Sequence, residues 1–112
     1  MGTHTMSLNA GDVYYASLDP TRGTEQKGTR PVVIVSVVSI GPRAIAVPLT
    51  TAVRQWPTRI GVVLHGIKVE AMCEQVRTID LAHLSDELYA RIEPATLAKI
   101  QQTIARLIGV YS

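Results

Sequence analysis

The run Pro31-Val-Val-Ile-Val-Ser-Val-Val38 is almost entirely β-branched, and no other feature limits the possible folds of this chain as much. Branching at Cβ leaves few side-chain rotamers and suits a pleated strand. An apolar run without alternation further suggests a strand buried on both faces. Val13-Tyr-Tyr-Ala-Ser-Leu18 precedes it, bounded by Gly11-Asp12 and Asp19-Pro20, and reads as a strand by propensity and punctuation. Ala44-Ile-Ala-Val-Pro-Leu49 returns after the turn Ser39-Ile-Gly-Pro42, close enough for an antiparallel hairpin. Pro48 lacks a backbone donor, which places the end of that strand at an edge or a bulge. Arg59–Leu64 and Lys68–Cys73 form a second candidate hairpin across His65-Gly66, and Gln75–Ile79 continues in extended character.

The period then changes. Glu93-Pro94 has the chemistry of a helix start, with an acid at the positive end of the dipole and proline in the first turn. Leu97, Ile100, Ile104, Leu107 and Ile108 follow at helical spacing, and Gly109 stops the run. Strands followed by one terminal helix predict an α+β domain with a small, strongly curved antiparallel sheet. Residues 1–9 read as a flexible lead-in and residues 10–112 as a single domain. So small a curved sheet, carrying an apolar terminal helix, is expected to cover its remaining hydrophobic surface by homodimerisation.

Several function classes fall away on composition. A hydrophobic fraction of 46% is too high for a disordered chain. No apolar stretch approaches the roughly 18 residues of a membrane-spanning helix. The lone cysteine, Cys73, has no internal disulfide partner, which suggests a reducing, cytoplasmic setting. Flanked by Met72 and Glu74 in an apolar segment, it is expected to be structural and not a nucleophile. His4, His65 and His83 are scattered, and neither a metal-ligating spacing nor a phosphate-cradling glycine loop occurs, so no cofactor is expected. Net charge is only +2, but Arg22, Lys27, Arg30, Arg43, Arg54, Arg59 and Lys68 face only Glu25 and Glu70 between Pro20 and Glu70. A local excess of that kind favours a polyanion.

Three polar sets lie beside strands. The first is the loop Thr24-Glu25-Gln26-Lys27-Gly28-Thr29-Arg30, longer and chemically richer than a reversal requires. The second, Thr50-Thr51, places hydroxyls at a strand end, and the third is Glu74-Gln75-Val76-Arg77-Thr78-Ile79-Asp80. Each also has a plain structural reading: a solvated loop, a strand terminator, and an Arg77–Asp80 ion pair closing a turn. Taken together, an arginine, a hydroxyl, carboxylates and amides without a metal suit the binding of a phosphodiester.

Gly11-Asp-Val-Tyr-Tyr15, the segment from Leu18 through Gly23-Thr-Glu-Gln-Lys-Gly-Thr-Arg-Pro31 to Val35, Val47-Pro-Leu-Thr50 and Cys73-Glu-Gln-Val-Arg-Thr-Ile-Asp80 stand in a specific order and spacing. In this the chain resembles the MazF/PemK toxin family over residues 11–110. The resemblance implies an SH3-like barrel with a C-terminal helix, assembled as a homodimer. It implies a metal-independent endoribonuclease that cuts single-stranded RNA at short sequences and is blocked by an acidic, partly disordered antitoxin. It places the catalytic arginine on Arg30 and its hydroxyl partner on Thr50. A guanidinium forking onto two phosphate oxygens, with a hydroxyl as further donor, stabilises the charge that develops when a ribose 2′-OH attacks phosphorus.

A guanidinium, with a pKa above about 12, makes a poor base near neutrality. Glu25 is therefore a candidate base, with an orienting ion pair to Arg30 as its other reading. Gln26, Lys27, Thr29, Thr51, Arg54, Trp56, Glu74, Gln75 and Arg77 are candidate RNA contacts, and Gln55 accompanies them in the second loop. Trp56 can stack on a base or serve packing. The PemK/Kid branch uses an arginine–cysteine–aspartate step and a loop histidine. This chain has Met72-Cys73-Glu74 and Thr24 there, so those roles do not transfer and the MazF branch is the better match. Two alternatives come from outside catalysis: a CcdB-like DNA gyrase poison on the same fold, and an SH3-like module that binds without cutting.

Overall fold

The computed structural model describes residues 8–18, 28–38 and 40–110. Among the described residues, seven strands, β1 (Asp12–Leu18), β2 (Gly28–Ile34), β3 (Arg43–Thr50), β4 (Arg59–Leu64), β5 (Ile67–Met72), β6 (Arg77–Asp80) and β7 (Ala90–Arg91), precede one α-helix, α1 (Pro94–Leu107). The sheet runs β4-β5-β3-β2-β1-β7, with β6 also paired to β3. Every pairing is antiparallel. This is the expected α+β class, a curled antiparallel sheet with one terminal helix.

β3 organises the curl. β2 pairs with Ala46–Pro48, β6 with Arg43–Ala46, and β5 with Leu49 and Thr50. Pro48 is fully buried on this central strand, so it marks no sheet edge. It falls between the β6-paired and β5-paired stretches, where a missing backbone donor leaves no rung broken. The change of partner there bends the sheet.

The strands β1–β3 bury both faces, as the β-branched run implies. Val13, Val33, Val47 and Leu49 join Val62, Leu64, Val69, Ala71, Cys73 and Ile100 of α1 in one core. Tyr14, Ala16, Leu18, Val32, Ile34, Ala44 and Ala46 join Ile79 and Leu84 in the other. The alternation of odd and even positions between these clusters is the period-2 geometry of a strand.

β2 stops at Ile34, short of the expected Val38. The amides of Val35 and Ser36 both donate to Ile45 O, at 2.9 and 3.3 Å, while Ser36 Oγ accepts from Ile45 N. Two residues opposing one is a bulge, and it turns the chain so that Val37 and Val38 lie exposed. The β4–β5 turn matches expectation: His65 and Gly66 have φ of 50° and 81°, the pair of positive angles that a two-residue hairpin turn requires.

α1 starts with Pro94 in its first turn after Glu93 and ends before Gly109, whose φ is +93°. Ile100 is fully buried and Leu97 and Ile104 pack against the same core, whereas Leu107 and Ile108 are exposed. The predicted apolar stripe is therefore covered by this chain only in its first three turns. Gln101 Nε2 donates to Val35 O at 3.0 Å and ties the helix to the bulge.

Candidate active site

Arg30 sits on β2 opposite Ala16 of β1. The β2–β3 ladder pairs Val32 with Pro48, and its register, continued two residues, sets Arg30 across from Thr50. Both residues line one cleft of about 310 Å³, together with Thr29, Thr51, Tyr15 and Tyr89 and an apolar floor from Leu49, Leu64 and Val69. Two residues distant by twenty positions in sequence are thus brought to one site by a single antiparallel rung.

The polar groups there are unevenly engaged. Arg30 Nε is buried and finds no hydrogen-bond acceptor among the described residues. A buried donor without a partner is costly, so it calls for an acceptor that comes to it. Thr50 is buried, and its Oγ1 accepts from Ala52 N at 3.1 Å, which leaves the hydroxyl proton free to donate. Tyr15 and Tyr89 meet edge to face at 5.0 Å, and His65 packs on Tyr89 at 4.7 Å while its Nε2 contacts Tyr89 O at 2.7 Å. Burial, with help from Tyr89, raises the Tyr15 phenol above its ordinary value, so it remains a neutral donor at pH 7.

The β3–β4 connection leaves directly from Thr50 and is held by a network absent from the expectations above. Glu70, the cross-strand neighbour of Thr50, accepts from the backbone N of Arg54 at 2.9 Å and of Gln55 at 3.0 Å. Arg59, whose side chain is 6% exposed, lies 3.7 Å from Glu70 and 2.7 Å from Glu74, and stacks over Trp56 at 4.3 Å. Glu74 also accepts from Thr58 Oγ1 at 2.6 Å. Burial acts to raise the Glu70 carboxyl, but the two amides and Arg59 outweigh it and hold it below the usual carboxylate range. Glu74 is likewise lowered, with Arg59 and Thr58 overcoming the effect of burial.

The candidate residues therefore divide. Arg30, Thr50, Thr29 and Thr51 share the cleft. Arg54, Gln55 and Trp56 ride the clamped loop beside it, and Trp56 is half exposed. Glu74 is exposed and braces that loop through Arg59 and Thr58, and Gln75 is half-buried beside it. Arg77 lies in a separate recess with Arg43 and His83. No Arg77–Asp80 ion pair forms among the described residues; Asp80 Oδ1 instead accepts from Ala82 N at 3.0 Å. Glu25, Gln26 and Lys27 lie outside the described residues. Cys73 is fully buried, and burial with the nearby Glu74 pushes its thiol up to about 12, as expected of a structural cysteine. Sequence reasoning missed Tyr15, Tyr89 and Glu70 as shapers of the site. Only Tyr15 left a signal, as the outward partner of an aromatic pair in β1.

The chain is 33% identical over 107 residues to the endoribonuclease EndoA of Bacillus subtilis, a match covering 80% of this chain and 91% of that protein. Its fold matches the crystal structure of MazF from Deinococcus radiodurans with a TM-score of 0.82 at 22% identity, covering 92% of this chain and 97% of that one. A mycobacterial endoribonuclease in complex with its cognate antitoxin matches with a TM-score of 0.75 at 24% identity, over 95% and 99% of the two chains. The similarity to EndoA favours the endoribonuclease expectation over the gyrase-poison one. The model of the PemK-like, MazF-like toxins of type II toxin–antitoxin systems matches residues 9–108, and the chain belongs to that family.

Proposed function

We propose that this toxin cuts single-stranded RNA in the Arg30–Thr50 cleft, without a metal ion. The chain is an endoribonuclease of the toxin–antitoxin class. The observation that carries the site assignment is the buried Nε of Arg30, unpartnered among the described residues, in the same cleft as the Thr50 hydroxyl. In the proposed reaction the ribose 2′-oxygen attacks phosphorus, the O2′–P bond forms and the P–O5′ bond breaks. Arg30 forks onto the non-bridging oxygens and Thr50 donates to one of them, which stabilises the added negative charge. The 2′-OH loses its proton to a base, for which Glu25 is the proposed group, and the departing 5′-oxygen gains one. The products are a 2′,3′-cyclic phosphate and a 5′-hydroxyl. Thr29, Thr51, Arg54 and Trp56 are proposed to hold the flanking nucleotides, with Gln26, Lys27, Gln75 and Arg77 as outer contacts.

The proposed partners are a second copy of the chain, single-stranded RNA and an acidic antitoxin that replaces RNA on the basic surface. Exposed Val63, Ile67, Leu107, Ile108 and Val110 support self-association, because a monomer would leave these apolar side chains in water. Sedimentation equilibrium at micromolar concentration is expected to give a dimer; a single monomeric species would refute this.

A long single-stranded RNA incubated with antitoxin-free protein in excess EDTA tests the activity. Cuts at one short motif with cyclic-phosphate ends are expected. Intact RNA would move the reading to binding without cutting.

A further inference from the structure

β6 carries Arg77 into a recess of about 250 Å³, whose wall also includes Arg43, His83, Ser17, Thr78 and Asp80. Its lining is almost wholly polar. Neither guanidinium has an ion-pair partner among the described residues, although Arg43 is the cross-strand neighbour of Asp80. The carboxylate of Asp80, which would oppose an anion, is engaged with Ala82 N and caps the turn after β6. Two unneutralised guanidiniums, an imidazole and two hydroxyls around one recess form a donor set for a phosphate.

Its position matters as much as its chemistry. Ser17 lines this recess and Thr29 lines the Arg30–Thr50 cleft, and the two are paired residues on β1 and β2. The recess and the cleft thus lie on either side of one rung, whose Cα atoms are about 5 Å apart. Along β3, Arg77 pairs with Ala46, four residues from Thr50, which is about 13 Å at ~3.3 Å per residue. One extended nucleic-acid strand can reach both.

We propose that Arg43 and Arg77, with His83, form a second phosphodiester-binding site that holds the backbone of the RNA away from the cut. This rests on the reading of the cleft as the RNA-cutting site. An acidic peptide is the weaker occupant, because anchoring a peptide takes apolar pockets for its side chains and this recess offers almost none. The site adds affinity without reading sequence, since phosphate contacts position a strand and base contacts specify it.

The test uses the full chain and a mixed-sequence 2′-fluoro RNA, which has no 2′-OH to attack, with binding followed by fluorescence anisotropy across a salt series. Arg43→Ala and Arg77→Gln are each expected to weaken binding roughly three- to tenfold and to flatten the log–log salt slope by about 0.7, one phosphate contact on a single strand. Arg77→Lys should keep the slope, and Lys99→Ala on the exposed face of α1 should leave it unchanged. Circular dichroism checks that Arg77→Gln folds, and the exposed Arg43 carries the test if it does not. An unchanged slope in Arg43→Ala, with Arg30→Ala still weakening binding, would overturn the second site and leave the cleft intact. No RNA binding by the unaltered protein would overturn both. Loss of polyglutamate binding in Arg43→Ala with RNA binding unaffected would assign the recess to a peptide and overturn the proposal.

Discussion

Glu70→Gln isolates the clamp on the β3–β4 connection, because it keeps the shape of the side chain and removes only its charge and one acceptor. The carboxylate accepts two backbone amides, at 2.9 and 3.0 Å, and lies 3.7 Å from Arg59, with both side chains about 95% buried. A glutamine presents one oxygen to two N–H groups, so one amide faces an NH₂ and loses its acceptor, at a cost of about 1–3 kcal/mol. Weakened attraction to Arg59, which retains Glu74, brings the total to about 2–4 kcal/mol. At about 4 °C per kcal/mol for a domain of this size, the melting temperature should fall by about 8–16 °C. Hydrogen exchange should also show lost protection at the amides of Arg54 and Gln55. The carboxyl of Glu70 is held below its unfolded value, so its contribution is present above the unfolded carboxylate pKa and fades as pH falls through the lower folded value. The acid limb of the stability–pH curve should therefore be shallower in Glu70→Gln. An unchanged melting temperature together with unchanged exchange at Arg54 and Gln55 would refute the clamp.

Other outcomes follow from the same geometry. Thr50→Ser should retain most cleavage, because the hydroxyl persists, whereas Thr50→Ala should lower the single-turnover rate by roughly 10²-fold. Cys73 should resist alkylation at pH 8 in the native protein and react at once in denaturant, since its thiol is raised to about 12; rapid native labelling would refute its burial. Trp56→Ala should weaken RNA binding by about 1–3 kcal/mol if a base stacks there. It should also destabilise the fold only slightly, because Trp56 is half exposed; a large melting-temperature loss without a binding change would favour packing as its role.

Much of the fold was legible because alternation and turn chemistry are local. β1, the His65-Gly66 hairpin and the Glu93-Pro94 helix start each announce themselves within a few residues. What escaped depends on distant partners. β2 ends early because Ser36 and Val35 share Ile45 O, a bulge invisible in the run of valines. β7 has only two residues, Ala90 and Arg91, and exists through its pairing with Asp12 and Val13. Glu70 looks like any strand carboxylate until its contacts fifteen and sixteen residues away are seen. The meeting of Arg30 and Thr50 came from family resemblance, and the ladder register now gives it a physical cause. Arg43 and Arg77 come together only when β6 pairs with β3, so no spacing in the sequence marks their recess.

The most direct test of the account compares Arg30→Ala with the unaltered protein in single-turnover cleavage of one RNA, alongside affinity for its 2′-fluoro counterpart. Removing the guanidinium proposed to meet the developing charge should slow cleavage by about 10²–10³-fold or more. Affinity should change far less, and the sedimentation behaviour and melting temperature should be preserved. Cleavage by Arg30→Ala at the unaltered rate would contradict the assignment of the reaction to this cleft.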